Sequence, residues 1–537
     1  MSQTYHVYGP PGCGKTTYLS GQIAKAAEAR GNESVLVASL TRAAATEMAS
    51  RGIGLPDKNV GTLHAHCFRQ LGSPEIAESK IDIWNEENKG SNFRLKNESN
   101  MSLDEKKLEG KTYSQDKGDD NFAQMNVYRS QLIPQNQWVD PVFRFYKRWT
   151  EFKESYGFMD FTDLIEKGLT DTWVAPKSPE VLIGDECQDW SKLEMSLFRD
   201  HWGSRAEIVM MAGDPDQTIF SWRGADSGCF MNHEIPEANK RYLKQSYRLP
   251  INPHKYARKL IQRVQNREDF EFSPVNKEGS VERLNSTSKN CAKVVALIED
   301  EIANGQKVMV LGSCGYVLYP IIKKLKREGI PYHNPYRLTN ASWNPLARSK
   351  KKVMPVDRIL SFLKPDEETW GQGASEWEDG DFNKWMSILK QDKLLSRGTK
   401  KLVAGKKFEA PTTWEDFAKM FVSEEEAKQA ISMDLDWWEQ KMMSSHQKKF
   451  EYPLHVFRKR GGKALKESPK VVVGTIHSVK GGEADTVIVF PDLSPQANDL
   501  LHKKEAKESL NRLFYVAVTR TKNKLYLCNS EGLRFQW

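Results

Sequence analysis

Through the first third of the chain, short apolar runs alternate with longer stretches of helical spacing. Thr4–Tyr8, Val35–Ser39, Val181–Gly184 and Ile208–Ala212 read as strands, and Lys15–Ala29, Thr41–Arg51 and Pro141–Tyr156 as helices. In the last of these Val142, Phe145, Tyr146, Trp149 and Phe152 keep to one face. Continuous apolar strands separated by helices predict an α/β architecture, with a parallel sheet covered on both sides.

The pattern breaks between Glu75 and Arg129, where Asn, Lys, Glu, Ser and Asp dominate and apolar residues stand alone. A structureless loop of that length does not suit a compact domain, so the segment reads as an inserted subdomain or as partly disordered. The alternation resumes with Val281–Leu284, a helix near Ala292–Glu301, Val308–Leu311 and a helix over Leu318–Arg327. It breaks again from Tyr332 to Glu467 into a Trp-, Lys- and acid-rich stretch of helical character. Val471–Gly474, Thr486–Phe490, a helix ending near Thr519 and Leu525–Leu527 restore it. The expected organisation is one sheet domain over 1–74 and 130–240, interrupted by 75–129, and a second over 241–331 and 468–537, interrupted by 332–467.

A chain of 537 residues exceeds what one core serves, which fits this division. No apolar run is long enough to span a membrane, so no membrane partner is expected. The N-terminus enters a strand with no signal-peptide pattern, and the seven cysteines are scattered without a CxxC pair. Zinc ribbons, iron–sulfur clusters and disulfide frameworks are thereby disfavoured, and a reducing cytoplasm is the expected compartment. A net charge of +8 is compatible with a polyanionic partner and proves little alone.

The chemistry begins at Gly9-Pro10-Pro11-Gly12-Cys13-Gly14-Lys15-Thr16, followed by Thr17, between a strand and a helix. Glycines there let backbone N–H groups wrap phosphates at a helix N-terminus. Lys15 would neutralise the β- and γ-phosphates of ATP, and the Thr16 hydroxyl would ligate Mg²⁺. In VLIGDECQD, the strand Val181–Ile183 delivers Asp185 and Glu186 to its C-terminal end, where ligands bind in open α/β sheets. Asp185 suits Mg²⁺, and Glu186 suits orienting or deprotonating an attacking water. The segment GDPDQTIFSWRGA then sets Gln217 beside Phe220, Trp222 and Arg223, joining a phosphate-sensing group to rings able to stack on bases.

The ordered set GPPGCGKT, LTRAAATEM, GTLHAH, DFTDL, DECQD, GDPDQTIFSWRGA, QSYR, GTIHSVKGGEAD and YVAVTRTK resembles the UvrD/Rep/PcrA-type helicases of superfamily 1. The resemblance implies two RecA-like P-loop-type domains, each with a mostly helical insertion, with ATP in the cleft between them. Single-stranded DNA would run across both. It makes Gln217 similar to the family's γ-phosphate sensor, and Arg248 and Arg520 to its two arginine fingers. Tyr247 resembles the residue that stacks on adenine, and Glu483 the one that contacts ribose. Phe220 and Trp222 resemble the base-stacking platform, with Arg223 beside them. Thr41, Arg42, Thr62, His64, Thr475, His477 and Lys480 resemble contacts to the DNA backbone. Only fourteen residues precede Lys15, short of the extension that carries the family's adenine-reading glutamine. Adenine selectivity is therefore expected to be relaxed or supplied elsewhere.

The basic runs Lys323–Arg327, Arg348–Lys352, Lys400–Lys407 and Arg458–Lys463 are candidate phosphate contacts, the last the best of them. The leading expectation is an ATP-dependent helicase or translocase moving 3′ to 5′ on single-stranded DNA and acting at duplex junctions. Repair, replication or nuclease partners would follow. One alternative is a translocase that strips proteins from DNA, or serves a nuclease or recombination partner, with little unwinding of its own. A P-loop phosphotransferase acting on a small molecule, or RNA as the track, are further alternatives.

Overall fold

The computed structural model describes residues 2–40, 54–96, 117–231, 234–337, 342–349, 351–363, 377–411 and 413–537. It divides into two compact units. One comprises Met1–Lys289, Met309–Leu318 and Gly474–Trp537, and the other Asn290–Val308 and Tyr319–Val473.

The strands, in chain order, are β1 (Gln3–Tyr8), β2 (Val35–Ser39), β3 (Val60–Thr62), β4 (Val181–Asp185), β5 (Ile208–Gly213), β6 (Lys240–Tyr242) and β7 (Ser280–Leu284). They continue with β8 (Val308–Gly312), β9 (Tyr332–His333), β10 (Val471–Thr475), β11 (Ala484–Val489) and β12 (Thr521–Cys528). Two six-stranded sheets result, ordered β3-β2-β4-β5-β1-β6 and β7-β12-β11-β8-β10-β9. Every pairing in the first is parallel. Buried on both faces, β2 and β4 read as unbroken apolar runs, which is why the sequence shows them so plainly. The expected fold class of two RecA-like α/β domains is the observed one.

Strand order is what assembles the site. β4, β5 and β1 are neighbours, with Tyr8 opposite Gly213 and Gly184 opposite Met211. The turns that follow these strands, after Tyr8, Asp185 and Gly213, therefore leave the sheet along one edge. In the second sheet β11 and β12 run parallel with Ala484 opposite Thr521. The residues just before them, Glu483 and Arg520, consequently lie side by side, and the Ala484 N–H donates to the Arg520 carbonyl at 3.0 Å.

The polar segment 75–129 is built rather than loose where it is described. Helix Ile81–Glu87 and helix Lys117–Ser130 place Trp84, Phe122 and Met125 against Val142, Phe145, Trp149 and Phe152 of helix Asp140–Tyr156. Beneath this core sits a buried ionic hub. Arg129 donates to Asp160 at 2.7 Å, to Asp163 at 2.6 Å and to Glu166 at 2.6 Å, while Lys153 and the Trp149 indole also donate to Asp160. Asp160 caps helix Phe161–Thr170 through a reciprocal box with Asp163, so the DFTDL motif is a helix start locked by two cations.

The second unit carries its own aromatic core, in which Phe362 stacks on Trp438 at 4.7 Å and packs on Trp385 at 5.4 Å. Two cations of the basic run Arg458–Lys463 are engaged inside this unit. Arg458 pairs with Asp436 at 2.5 Å and Glu439 at 2.7 Å, and Arg460 with Glu299 at 2.9 Å. Among the described residues no helix is long and apolar enough to cross a membrane.

Candidate nucleotide site and nucleic-acid track

The loop after β1 needs left-handed backbone at Gly12 (φ 71°) and Gly14 (φ 76°), which only glycine adopts without strain. Gly12 has a second reason. A Cβ there would lie 2.4 Å from the Arg248 Cβ, because QSYR runs against the loop. The Tyr247 N–H donates to the Gly12 carbonyl at 2.8 Å, and the Ser246 hydroxyl to the Pro11 carbonyl at 2.8 Å. Tyr247 is thereby pinned by its backbone beside Gly14 while the residue stays 73% exposed, leaving it accessible to a planar base.

Lys15 opens helix Lys15–Arg30 and donates to the Gly9 carbonyl at 2.7 Å. Burial pulls its pKa down, but the negative charges around it, those of Glu186, Asp214 and Asp185 among them, more than offset that and raise it. Asp185, buried at the end of β4, accepts from the Glu186 N–H at 2.9 Å. Glu186 itself takes a left-handed φ of 55°, a strained conformation for a non-glycine residue. Burial alone would push its carboxyl up. The charges of Lys480 and Lys15, a 2.7 Å hydrogen bond from Gln188 and the charge of Arg520 hold it down at about 2 instead. It is therefore ionised, a carboxylate.

Gln217 closes the turn after β5. Its Nε2 donates to Asp214 at 2.7 Å, and its Oε1 accepts from Arg520 Nη2 at 2.7 Å. Arg520 is only 1% exposed, and it also donates to the Val516, Gly482 and Thr519 oxygens. Burial and the nearby Asp216 charge lift the Asp214 carboxyl to about 6, against the opposing pull of Lys15 and Gln217. Arg248 Nε donates to Glu483 at 2.9 Å, and Glu483 also pairs with Lys522 at 3.3 Å. The carboxylate expected on ribose thus bridges two cations at the mouth of the loop. Lys15, Asp185, Glu186, Gln217, Arg248 and Arg520, scattered over the whole sequence, come together here.

Next to this cluster the half-buried rings of Phe220, Trp222 and His477 form a triangle, with centroids 6.2, 6.0 and 6.5 Å apart. Arg223 and Lys480 each lie 5.4 Å from the Phe220 ring. Neither Phe220 nor Trp222 is a core residue.

The UvrD/REP helicase N-terminal domain model matches residues 1–236, and the UvrD-like helicase C-terminal domain model matches residues 470–528. Together they cover more than half of the chain. The chain belongs to the UvrD/REP helicase family. A probable DNA helicase II homolog of Mycoplasma genitalium is 23% identical over 97% of this chain and 82% of its own length. The ATP-dependent DNA helicase Rep of Buchnera aphidicola is 27% identical over 41% of this chain and 35% of its own. The ATP-dependent DNA helicase PcrA of Staphylococcus aureus is 29% identical over 44% and 35%.

Within this helicase the remaining expected track residues divide. Thr62 caps helix Leu63–Gln70, its hydroxyl accepting from the Ala65 N–H at 3.2 Å. Thr475 is buried and accepts from the Ser478 N–H at 3.3 Å, so its hydroxyl holds a turn. Thr41 and Arg42 lie outside the described residues. His64 is 3.9 Å from Glu194, and burial, the largest influence, keeps its pKa low. Lys480 turns toward the acids. It pairs with buried Asp189, lies 3.6 Å from Glu186 and donates to the Gln217 carbonyl at 2.8 Å. Phe161 was not anticipated. It is 47% exposed and its ring meets that of His64 edge-on at 6.2 Å, a placement signalled only by the DFTDL motif around it.

Proposed function

We propose that this helicase is an ATP-driven motor that moves 3′ to 5′ along single-stranded DNA and separates strands at duplex junctions. The observation that carries the reading is the shared position of Gln217. It is bonded at once to Asp214 and Arg520 beside the phosphate loop, and it lies three residues before the Phe220–Trp222 platform. A change at the nucleotide has a short covalent path to the rings.

Lys15 and the backbone N–H groups of Gly12 to Thr17 bind the ATP phosphates, with Tyr247 against the adenine and Glu483 near the ribose. Glu186 orients the attacking water and accepts its proton. Arg248 and Arg520 stabilise charge on the transferring phosphoryl group. Thr16 and Asp185 would hold Mg²⁺. Thr16, next to Lys15 in the first turn of its helix, and Asp185, at the end of β4, offer oxygen donors of the kind that ion takes. When bound, that ion would supply positive charge against the phosphates. Phe220, Trp222 and His477, with Arg223, Phe161 and His64, form the track, where each stacked base contributes about 1–3 kcal/mol without regard to sequence. The motor domains are assigned to 1–74 with 130–240 and to 241–331 with 468–537.

Unwinding of matched duplexes with a single 3′ or 5′ DNA tail, and of an RNA-tailed duplex, tests the reading. ATP-dependent separation of the 3′ DNA-tailed substrate alone is expected. Separation from the 5′ tail overturns the polarity. Turnover that displaces a bound protein but never opens a duplex favours the stripping translocase.

A further inference from the structure

Three arginines grip one three-residue turn, Pro215–Gln217. Arg520 holds the Gln217 side chain, as described. Arg512, from helix Lys504–Val518, donates its Nε to the Pro215 carbonyl at 3.2 Å and its Nη2 to the Asn266 carbonyl. Arg267 takes the residue between. Its Nε donates to Asp216 Oδ1 at 2.9 Å and Oδ2 at 3.2 Å, and its Nη2 to Oδ2 at 2.5 Å. Both side chains of this pair are more than nine-tenths buried, and Arg267 also pairs with Asp269. Asp214 closes the turn from the other side, accepting from the Asp216 N–H at 3.1 Å and from Gln217 Nε2 at 2.7 Å.

We propose that Arg267 is a positioning residue for nucleotide hydrolysis, fixing Asp216 so that the neighbouring Gln217 amide sits between Asp214 and Arg520. The inference rests on the reading of Gln217 as the group that senses the γ-phosphate. A guanidinium fork sets both the place and the orientation of a carboxylate, which a point charge does not. The turn has one residue on either side of Asp216. A shift there passes directly to Gln217, and misplacement by about 1 Å can cost roughly a hundredfold in rate. No motif marks Arg267. It lies between helix Ile251–Ile261 and β7, and it reaches the turn only in the folded chain.

A double-mutant cycle on ATP hydrolysis by the full chain, with single-stranded DNA present, tests this. The variants are Arg267→Ala, Gln217→Ala and the pair, with thermal melting to show that each is folded. Arg267→Ala and Gln217→Ala are each expected to lower kcat by about tenfold to a hundredfold. KM for ATP should stay within about twofold, because the turn contributes after binding. The double variant is expected to be no slower than Gln217→Ala alone, since Arg267 acts through Gln217. If the two losses multiply, or if Arg267→Ala keeps its kcat while Gln217→Ala loses it, Arg267 is structural and the inference falls. If Gln217→Ala itself turns over normally, the sensor reading falls, and the inference with it. Arg267→Lys keeps the buried charge without the fork and stands in should the alanine variant not fold. Its kcat is expected below wild type, and wild-type kcat in Arg267→Lys would overturn the role of the fork.

Discussion

Arg520 and Gln217, 303 positions apart in the chain, are joined by a 2.7 Å hydrogen bond from Nη2 to Oε1. The bond exists because two independent pieces of topology end in the same place. β5 releases the Gln217 turn next to β1 and its phosphate loop, and the parallel β11–β12 pair sets Arg520 beside Gly482 and Glu483. With both groups buried, each finds in the other a partner it would be costly to lose.

Glu186→Gln removes the proton acceptor but keeps its size and its hydrogen bond with Gln188. The variant is expected to bind ATP and DNA while hydrolysis falls by about 10²–10⁴-fold, the usual share of a positioned base. Single-turnover hydrolysis together with filter binding checks this. Near-normal turnover would assign the base elsewhere.

Trp222→Ala separates the track from the nucleotide site. Because Trp222 is half-buried in a ring cluster rather than in the core, DNA-stimulated turnover should fall more than basal turnover. Titration of both with oligonucleotide measures it. Equal losses would mean that the ring serves packing alone.

Much of this was legible in the sequence. β2 spans Val35–Ser39, as its unbroken apolar run predicts, and the phosphate loop declares itself through glycine spacing and its flanking elements. β3, β6 and β9, of two or three residues each, carry too little pattern to be seen. The core of 75–129 was hidden for a different reason. Trp84 and Phe122 stand alone in polar surroundings, and only the face of helix Asp140–Tyr156 gives them company. Lys480 reads as a track cation only through the resemblance of GTIHSVKGGEAD to a family motif, and in the folded chain it pairs with Asp189 and lies 3.6 Å from Glu186. Arg458 and Arg460 read as phosphate ligands and are occupied by carboxylates, a competition that spacing cannot reveal.

Arg129→Ala leaves Asp160, which has no solvent exposure, held by Lys153 and the Trp149 indole. Breaking a buried ionic hub from one side costs about 3–5 kcal/mol. Urea denaturation should show that loss, and an unchanged midpoint would mean that the hub contributes nothing net.

Glu78 offers a pH signature. Burial, and then the Asp160 charge, raise its carboxyl to about 8 in the folded chain. The unfolded group ionises at ~4.3, so this contribution to stability is fully present below that pH. It declines as pH rises and is gone once the folded group has ionised, near 8. Glu78→Gln should flatten the fall in melting temperature over that window. A variant whose profile keeps the wild-type slope would assign the fall to another group.

The most direct test of the account is steady-state ATP hydrolysis with and without single-stranded DNA, at low and high salt, with Lys15→Ala as control. Turnover that requires Lys15, rises strongly with DNA and loses that stimulation at high salt is expected. Lys15-dependent hydrolysis indifferent to DNA would contradict it, leaving a phosphate-binding fold whose aromatic triangle carries no strand.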